Sequence, residues 1–254
     1  MRSILAIVLF LTCVPISIAH AETLKIGYSP DWGPYSVVQG KATVGILPAL
    51  LDEIITRRLG VPLEHVGLPW KRAQSMVKAG SLDALLTYPS ATRLQYAERS
   101  GQVVYNLEYR AFVRKGSKAA TALAANPDVE TLKKYCGCVV FGNDWGKTFY
   151  ATHKIPYQDA VDVKNCLRLL SRDRVDFLIQ ATAVGLENIR QMDLQEVIVP
   201  MPRIYGQVPF VLLISKKSAF SYAFMAKFDA VVKKMTDDGS LQALVHELDN
   251  APGL

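Results

Sequence analysis

Residues Pro69 to Arg93 read PWKRAQSMVKAGSLDALLTYPSATR, and this stretch sets an aromatic, a helix, a strand and an arginine in a fixed order. Ala73, Met76 and Val77 recur at the i, i+3, i+4 spacing of an amphipathic helix, Gly80 can stop it, and Leu82 to Thr87 is a short apolar run with the character of a buried strand. The polar segment Thr87 to Arg93 therefore leaves the C-terminal end of a strand, where ligands of open α/β sheets sit. Trp70 and Arg93 stand at the two ends of this unit. A flat indole and a fixed cation meeting there suggest a small ligand with an apolar or planar body and an anionic group.

The same alternation extends in both directions. Leu24 to Tyr28 reads as a strand, followed by a turn-rich loop Ser29 to Tyr35, a helix from about Leu47 to Leu59 that Gly60 can stop, and a strand Leu63 to Val66. A second unit begins after Lys115. It has a strand Val139 to Gly142, a polar turn Asn143-Asp144-Trp145-Gly146, a helix from Lys147, another around Val163 to Arg172, and a strand Val175 to Gln180. Strands alternating with helices predict parallel sheets. Val208 to Ser215 is a strongly apolar strand, and Ser218 to Met235 is a helix with Phe224, Phe228, Val231 and Met235 on one stripe. If that helix returns to the first unit, the backbone crosses between units near Tyr109 to Lys115 and near Gln207 to Ile214.

The N-terminus has the pattern of an export signal. Arg2 supplies a positive start, Ile4 to Leu11 an apolar run, and Ala19-His20-Ala21 the small-x-small pattern of a cleavage site, so the mature chain is expected to begin at Glu22 in the periplasm. The apolar run is interrupted by Thr12, Pro15 and Ser17, and no later segment approaches the ~20 apolar residues of a spanning helix. Cys13 is read as a passenger in the removed peptide.

The chain has 254 residues, half of them hydrophobic, and a formal net charge of +6, enough for one large domain or two lobes with real cores. The basic residues are scattered among acids with no Lys/Arg block interleaved with aromatics, which excludes a nucleic-acid partner. Cys166 lies on the apolar face of its helix with Val163, Leu167 and Leu170. One disulfide from Cys166 to Cys136 or Cys138, and unpaired buried thiols, both fit an oxidising compartment; the spacing is poor for zinc. His65, His153 and His246 stand apart from other ligand types, and Asp83 and Asp176 are read as caps or turn acceptors. No nucleophile elbow, zinc helix or phosphate loop occurs, and no cofactor is expected.

In this order, LKIGYSPDWGPYS (24–36), RRLGVPLEHV (57–66), PWKRAQSMVKAGSLDALL (69–86), SATR (90–93), FVRKGS (112–117), VVFGNDWG (139–146), RLLSRDRVDFLIQ (168–180), LLISKKSAF (212–220) and MTDDGSL (235–241) resemble the family 3 bacterial extracellular solute-binding proteins, the periplasmic receptors of polar amino-acid ABC importers. The resemblance implies an α/β, two-lobed periplasmic-binding-protein fold with two crossing hinge strands and mixed sheets flanked by helices. It places a signal peptide at 1–21, lobe 1 at 22–111, lobe 2 at 112–211 and a return to lobe 1 at 212–254. The implied activity is ligand capture by lobe closure, without catalysis, by a monomer that delivers an amino acid or organic anion to a membrane ABC permease.

Carried over residue by residue, the resemblance puts the first ligand-covering aromatic at Trp32, followed by Pro34 and Tyr35, and the opposing one at Trp70. The arginine that grips the ligand carboxylate falls on Arg93, whose planar fork can make two parallel charge-assisted bonds. Thr87, Tyr88 and Ser90 supply nearby donors, and Gly142, Asn143, Asp144 and Trp145 form an anion-facing turn before a helix. The acids that usually hold the ligand ammonium are replaced by Ser29 and by Gln180-Ala181-Thr182, leaving Asp31 or Asp144 as substitutes, or a ligand without an ammonium. Trp32 and Trp70 as core fillers and Arg93 as a surface ion pair are the plainer readings. A dehydratase-like enzyme of the same fold acting on a cyclic carboxylic acid is the rival class, although Gln180-Ala181-Thr182 cannot transfer protons as a carboxylate does; a ligand-sensing protein is a third.

Overall fold

The computed structural model describes residues 22–220 and 222–251; the leader, its cleavage site and Cys13 fall outside the described residues. The first half runs β1 (Leu24–Tyr28), β2 (Asp31–Trp32), β3 (Ser36–Gln39), β4 (Ala42–Val44), α1 (Ile46–Leu51, continued by a π-helical segment Asp52–Arg57), β5 (Leu63–Gly67), α2 (Trp70–Ala79), β6 (Ala84–Thr87), α3 (Ala91–Leu94) and β7 (Ala97–Arg99). Then come β8 (Tyr105–Arg114), α4 (Lys118–Ala125), α5 (Val129–Leu132), β9 (Gly137–Val140), α6 (Asp144–Thr152), β10 (Tyr157–Ala160), α7 (Val163–Ser171), β11 (Phe177–Ala181), α8 (Thr182–Gln191), β12 (Ile198–Ser215), α9 (Tyr222–Asp237) and α10 (Ser240–Asn250).

The strand order is β10-β9-β11-β8-β12-β6-β1-β5, with β7 also on β12. Parallel strands β5, β1 and β6 make one end, parallel strands β10, β9 and β11 the other, and antiparallel β8 and β12 join them. The sheet is therefore mixed, as the family resemblance implies, whereas the alternation of strands and helices by itself pointed only to its parallel parts. β12 does the crossing: Ile198 to Phe210 pair with β8, and Val211 to Ile214 pair with β6. Its N-terminal half carries Pro200 and Pro202 beside the register shifts around Ile204, so these two prolines sit where the ladder is irregular, while Pro209 pairs in register with Asn106. The expected strand Val208 to Ser215 is only the last part of it.

Local chemistry explains the elements around the future site. α2 buries Ala73, Gln74 and Val77 and ends on Gly80 in the left-handed conformation, as its sequence spacing predicts. The expected helix 47–59 is split into an α turn and a π segment, with Ile54 and Ile55 still fully buried. α6 starts at Asp144, earlier than the expected Lys147, because the Asn143 side chain caps it. The Asp83 carboxylate accepts from the Lys25 N–H at 2.9 Å and the Ser218 hydroxyl at 2.7 Å, and Asp176 accepts from the Cys136 N–H at 2.7 Å. Both acids are strand-start acceptors. His65 bridges the Tyr28 hydroxyl and Asp52 at 3.0 and 3.1 Å, a packing role. Cys138 and Cys166 form a disulfide and Cys136 is free. α9 packs on the π segment and α10 on α1.

Candidate functional site

A cavity of about 420 Å³ lies where the C-terminal ends of the two parallel strand sets face each other. From the first half, Tyr28 ends β1, Thr87 ends β6 and Trp70 opens α2; from the second, Phe141 follows β9 and Gln180 lies in β11. This is the crevice that parallel α/β topology leaves at strand ends.

Its walls are largely aromatic. The Trp32 and Phe210 rings stack at 5.7 Å and 13°, while Trp145 packs at 4.3 Å on Tyr109 and at 5.3 Å on Phe149. Burial pushes the Tyr109 hydroxyl well above its ordinary pKa, so it stays neutral. Phe141 and Val161, 46% and 73% exposed, form an apolar lip on the second half.

Arg93 is 2% exposed. Ser90 caps the short helix that carries it, accepting the Arg93 N–H at 3.3 Å. Its guanidinium donates from Nη1 to the Tyr88 carbonyl at 2.8 Å and from Nη2 to the Gly142 carbonyl at 2.9 Å, and lies 5.3 Å over the Trp70 ring. Trp70 Nε1 donates to the same Gly142 carbonyl at 3.2 Å. Nε of Arg93 is 3.7 Å from Asp144 Oδ2 and has no hydrogen-bond partner among the described residues. Burial pulls the Arg93 pKa down and Asp144 draws it back up; an arginine stays charged. Of its five N–H groups, one on each terminal nitrogen remains beyond these bonds.

Several polar contacts cross the crevice between the two halves. Besides the Gly142 carbonyl, the Ser90 hydroxyl donates to Asp144 Oδ2 at 2.6 Å, and Lys164 pairs with Asp31 at 3.0 Å. Gly142 has φ +83°, and a Cβ there would stand 2.9 Å from Gln74 Nε2 and 3.1 Å from Trp70 Cδ1. Only glycine combines this left-handed backbone with so close an approach.

The two amides of the second half are oriented by backbone donors. Asn143 Oδ1 accepts the Gly146 N–H at 3.0 Å and Gln180 Oε1 accepts the Ala181 N–H at 2.8 Å. The expected anion-facing turn thus satisfies a donor of its own and already holds Asp144 in its first helical turn. Both substitute ammonium acceptors are engaged, Asp31 by Lys164 and Asp144 by Ser90 and Arg93. Asp162, which also lines the cavity, spends Oδ1 on the Asn165 N–H at the start of α7.

Of the residues singled out in the sequence, Trp32, Trp70, Thr87, Tyr88, Arg93, Asn143, Trp145 and Gln180 line the cavity, and Tyr35, Ser90 and Asp144 do not. Tyr35 is buried behind Trp32, with their rings 5.0 Å apart, and Ser90 and Asp144 are turned to each other. Sequence reasoning missed Tyr28, Tyr109, Phe141, Asp162 and Phe210 as wall residues. Tyr109 and Phe210 lie in segments read only as crossings, although an aromatic in each was the available signal.

A family model, "Bacterial extracellular solute-binding proteins, family 3", matches residues 24–247. The chain belongs to this family of solute-binding proteins. No curated protein matches it. Among solved structures, a histidine kinase sensor domain with similarity to periplasmic binding proteins is 18% identical at TM-score 0.73, covering 89% of this chain and 95% of that one. An ancestral arginine-binding protein bound to arginine is 17% identical at TM-score 0.71, covering 90% and 99%. An amino-acid ABC transporter substrate-binding protein from Streptococcus pneumoniae bound to L-arginine is 17% identical at TM-score 0.70, covering 89% and 94%. At these identities the likeness is one of fold. Among the described residues no helix is long and apolar enough to cross a membrane.

Proposed function

We propose that this chain is the periplasmic capture subunit of an ABC importer, closing its lobes, 22–111 with 212–254 against 112–211, over an amino acid or a related small carboxylate. The observation that carries this reading is a cavity assembled from both halves and shut by donors of one half on the Gly142 carbonyl of the other. Trp32 and Trp70 cover the ligand body, and Arg93, Thr87, Tyr88, Asn143, Trp145 and Gln180 complete its surroundings. In this reading the interlobe movement runs through β8 and β12, the strands that join the halves, so a ligand that touches both walls stabilises the closed state by its differential affinity for it. Gln180-Ala181-Thr182 offers no group to protonate a leaving hydroxyl, which disfavours the dehydratase alternative.

A thermal-shift screen of the chain from Glu22 onward against amino acids and organic acids tests capture, since a ligand of the folded state raises the melting temperature by mass action. Deleting the gene should abolish uptake of the hit by the cell. Uptake that continues unchanged contradicts the importer role.

A further inference from the structure

Resting on that reading of the cavity as a capture site, we infer that its ligand is an aromatic or other planar carboxylate that carries no ammonium, and that Gln180 is the residue that excludes the amino acid. The inference comes from the hydrogen-bonding direction of the groups the cavity presents. Gln180 is 3% exposed and its carbonyl oxygen is committed to the Ala181 N–H; its NH₂ has no partner among the described residues. Asn143 is turned the same way, its oxygen on the Gly146 N–H and its NH₂ unpartnered among the described residues. With the remaining N–H groups of Arg93, these make a set of pure donors, beside the Thr87 and Ser29 hydroxyls, which can donate or accept.

An α-ammonium is itself a donor and needs acceptors. A buried ammonium facing these donors has a large desolvation cost that they cannot offset. The nearby carboxylates have partners of their own: Asp31 pairs with Lys164 at 3.0 Å, Asp144 accepts from the Ser90 hydroxyl at 2.6 Å, and Asp162, on the rim at the start of α7, accepts the Asn165 N–H through Oδ1 at 2.7 Å. A carboxylate has only acceptors and satisfies the same set. The body of the ligand meets Trp32, Trp70, Tyr109, Trp145 and Phe210, faces suited to a flat apolar group.

The test is calorimetry on the chain from Glu22 onward, unfolded with its disulfide intact and refolded to strip bound ligand. The probes are benzoate, 3-phenylpropionate and indole-3-acetate, set against phenylalanine, tryptophan, the other common amino acids and butyrate. At least one aromatic carboxylate is expected to bind tenfold or more tightly than its amino-acid counterpart and than butyrate. Gln180→Glu keeps an acceptor for the Ala181 N–H but places an acid in the cavity. It should shift the carboxylate-to-amino-acid affinity ratio at least tenfold toward the amino acid, with the melting temperature of the variant as the check on folding. Amino acids binding as tightly as, or more tightly than, every aromatic carboxylate overturns the ligand class and leaves solute capture standing. A ratio unchanged in a folded Gln180→Glu overturns the role of Gln180. No binding by any probe overturns the ligand class and the capture reading together.

Discussion

The guanidinium of Arg93 donates to the carbonyl of Gly142 at 2.9 Å, joining residues 49 positions apart from opposite walls of the cavity. Trp70 donates to the same oxygen, so one carbonyl receives both residues that bracket the helix–strand unit of 69–93. The arginine expected to hold a ligand carboxylate also joins the two walls, and on the proposed reading it latches the closed form.

Arg93→Ala should therefore weaken ligand binding by about 2–5 kcal/mol, since it removes a buried charge-assisted group from both the ligand and the latch. Arg93→Lys should recover only part, because an ammonium cannot reproduce the fork that reaches Tyr88 and Gly142 together. Calorimetry on the two variants measures this, and full affinity in Arg93→Ala removes the arginine from both roles.

Gly142→Ala addresses the latch alone. The left-handed backbone costs a non-glycine residue roughly 1–2 kcal/mol, and the new Cβ would crowd Gln74 and Trp70 at 2.9 and 3.1 Å. The variant should populate an opened form, with a larger radius of gyration by small-angle X-ray scattering and affinity lowered about tenfold. Scattering identical to the parent would show that closure does not pass through this contact.

All three tryptophans of the chain line the cavity. Saturating ligand should quench their emission or shift it to the blue as water leaves the indoles, and Trp32→Phe and Trp70→Phe should each reduce the change. An unchanged spectrum on saturation, with binding proved by calorimetry, counts against the indoles as ligand walls.

The Cys138–Cys166 disulfide ties β9 to α7 with a sequence separation of 28. Its reduction, or replacement of both cysteines by alanine, should cost about 2–4 kcal/mol through the freed unfolded chain. Thermal unfolding with and without reductant checks the size, and Cys136→Ser should leave the difference intact.

Burial raises the Tyr35 and Tyr205 hydroxyls to about 12. An acid whose folded pKa is raised keeps its proton longer when folded, so its contribution is complete below the unfolded value of about 10 and is lost as pH rises through about 12. Urea midpoints should fall over that window, and Tyr35→Phe should flatten the fall. A midpoint independent of pH from 10 to 12 contradicts this.

Much of the scaffold was legible because its signals are local. Periodicity and a stop glycine suffice for α2, and the apolar run Ala84 to Thr87 for a buried strand. The short strands β2 to β4 escaped notice inside a turn-rich segment, where two- to four-residue strands leave no periodicity to read. The N-terminal half of β12 was hidden by Pro200 and Pro202, which sit where its ladder is irregular.

The sequence by itself determined the types of the longer elements and the placement of Trp70, Thr87 and Arg93 at strand and helix ends, because each follows from spacing along one segment, and the order of such segments carried the family resemblance. The tertiary structure alone decided the order of the strands in the mixed sheet, that Cys138 and not Cys136 pairs with Cys166, and that Ser90 and Asp144 serve each other across the cleft. It also decided which end of Gln180 and Asn143 faces the cavity. Such choices depend on which donors and acceptors of distant segments meet, and spacing within a segment carries no information about a partner brought near only by folding.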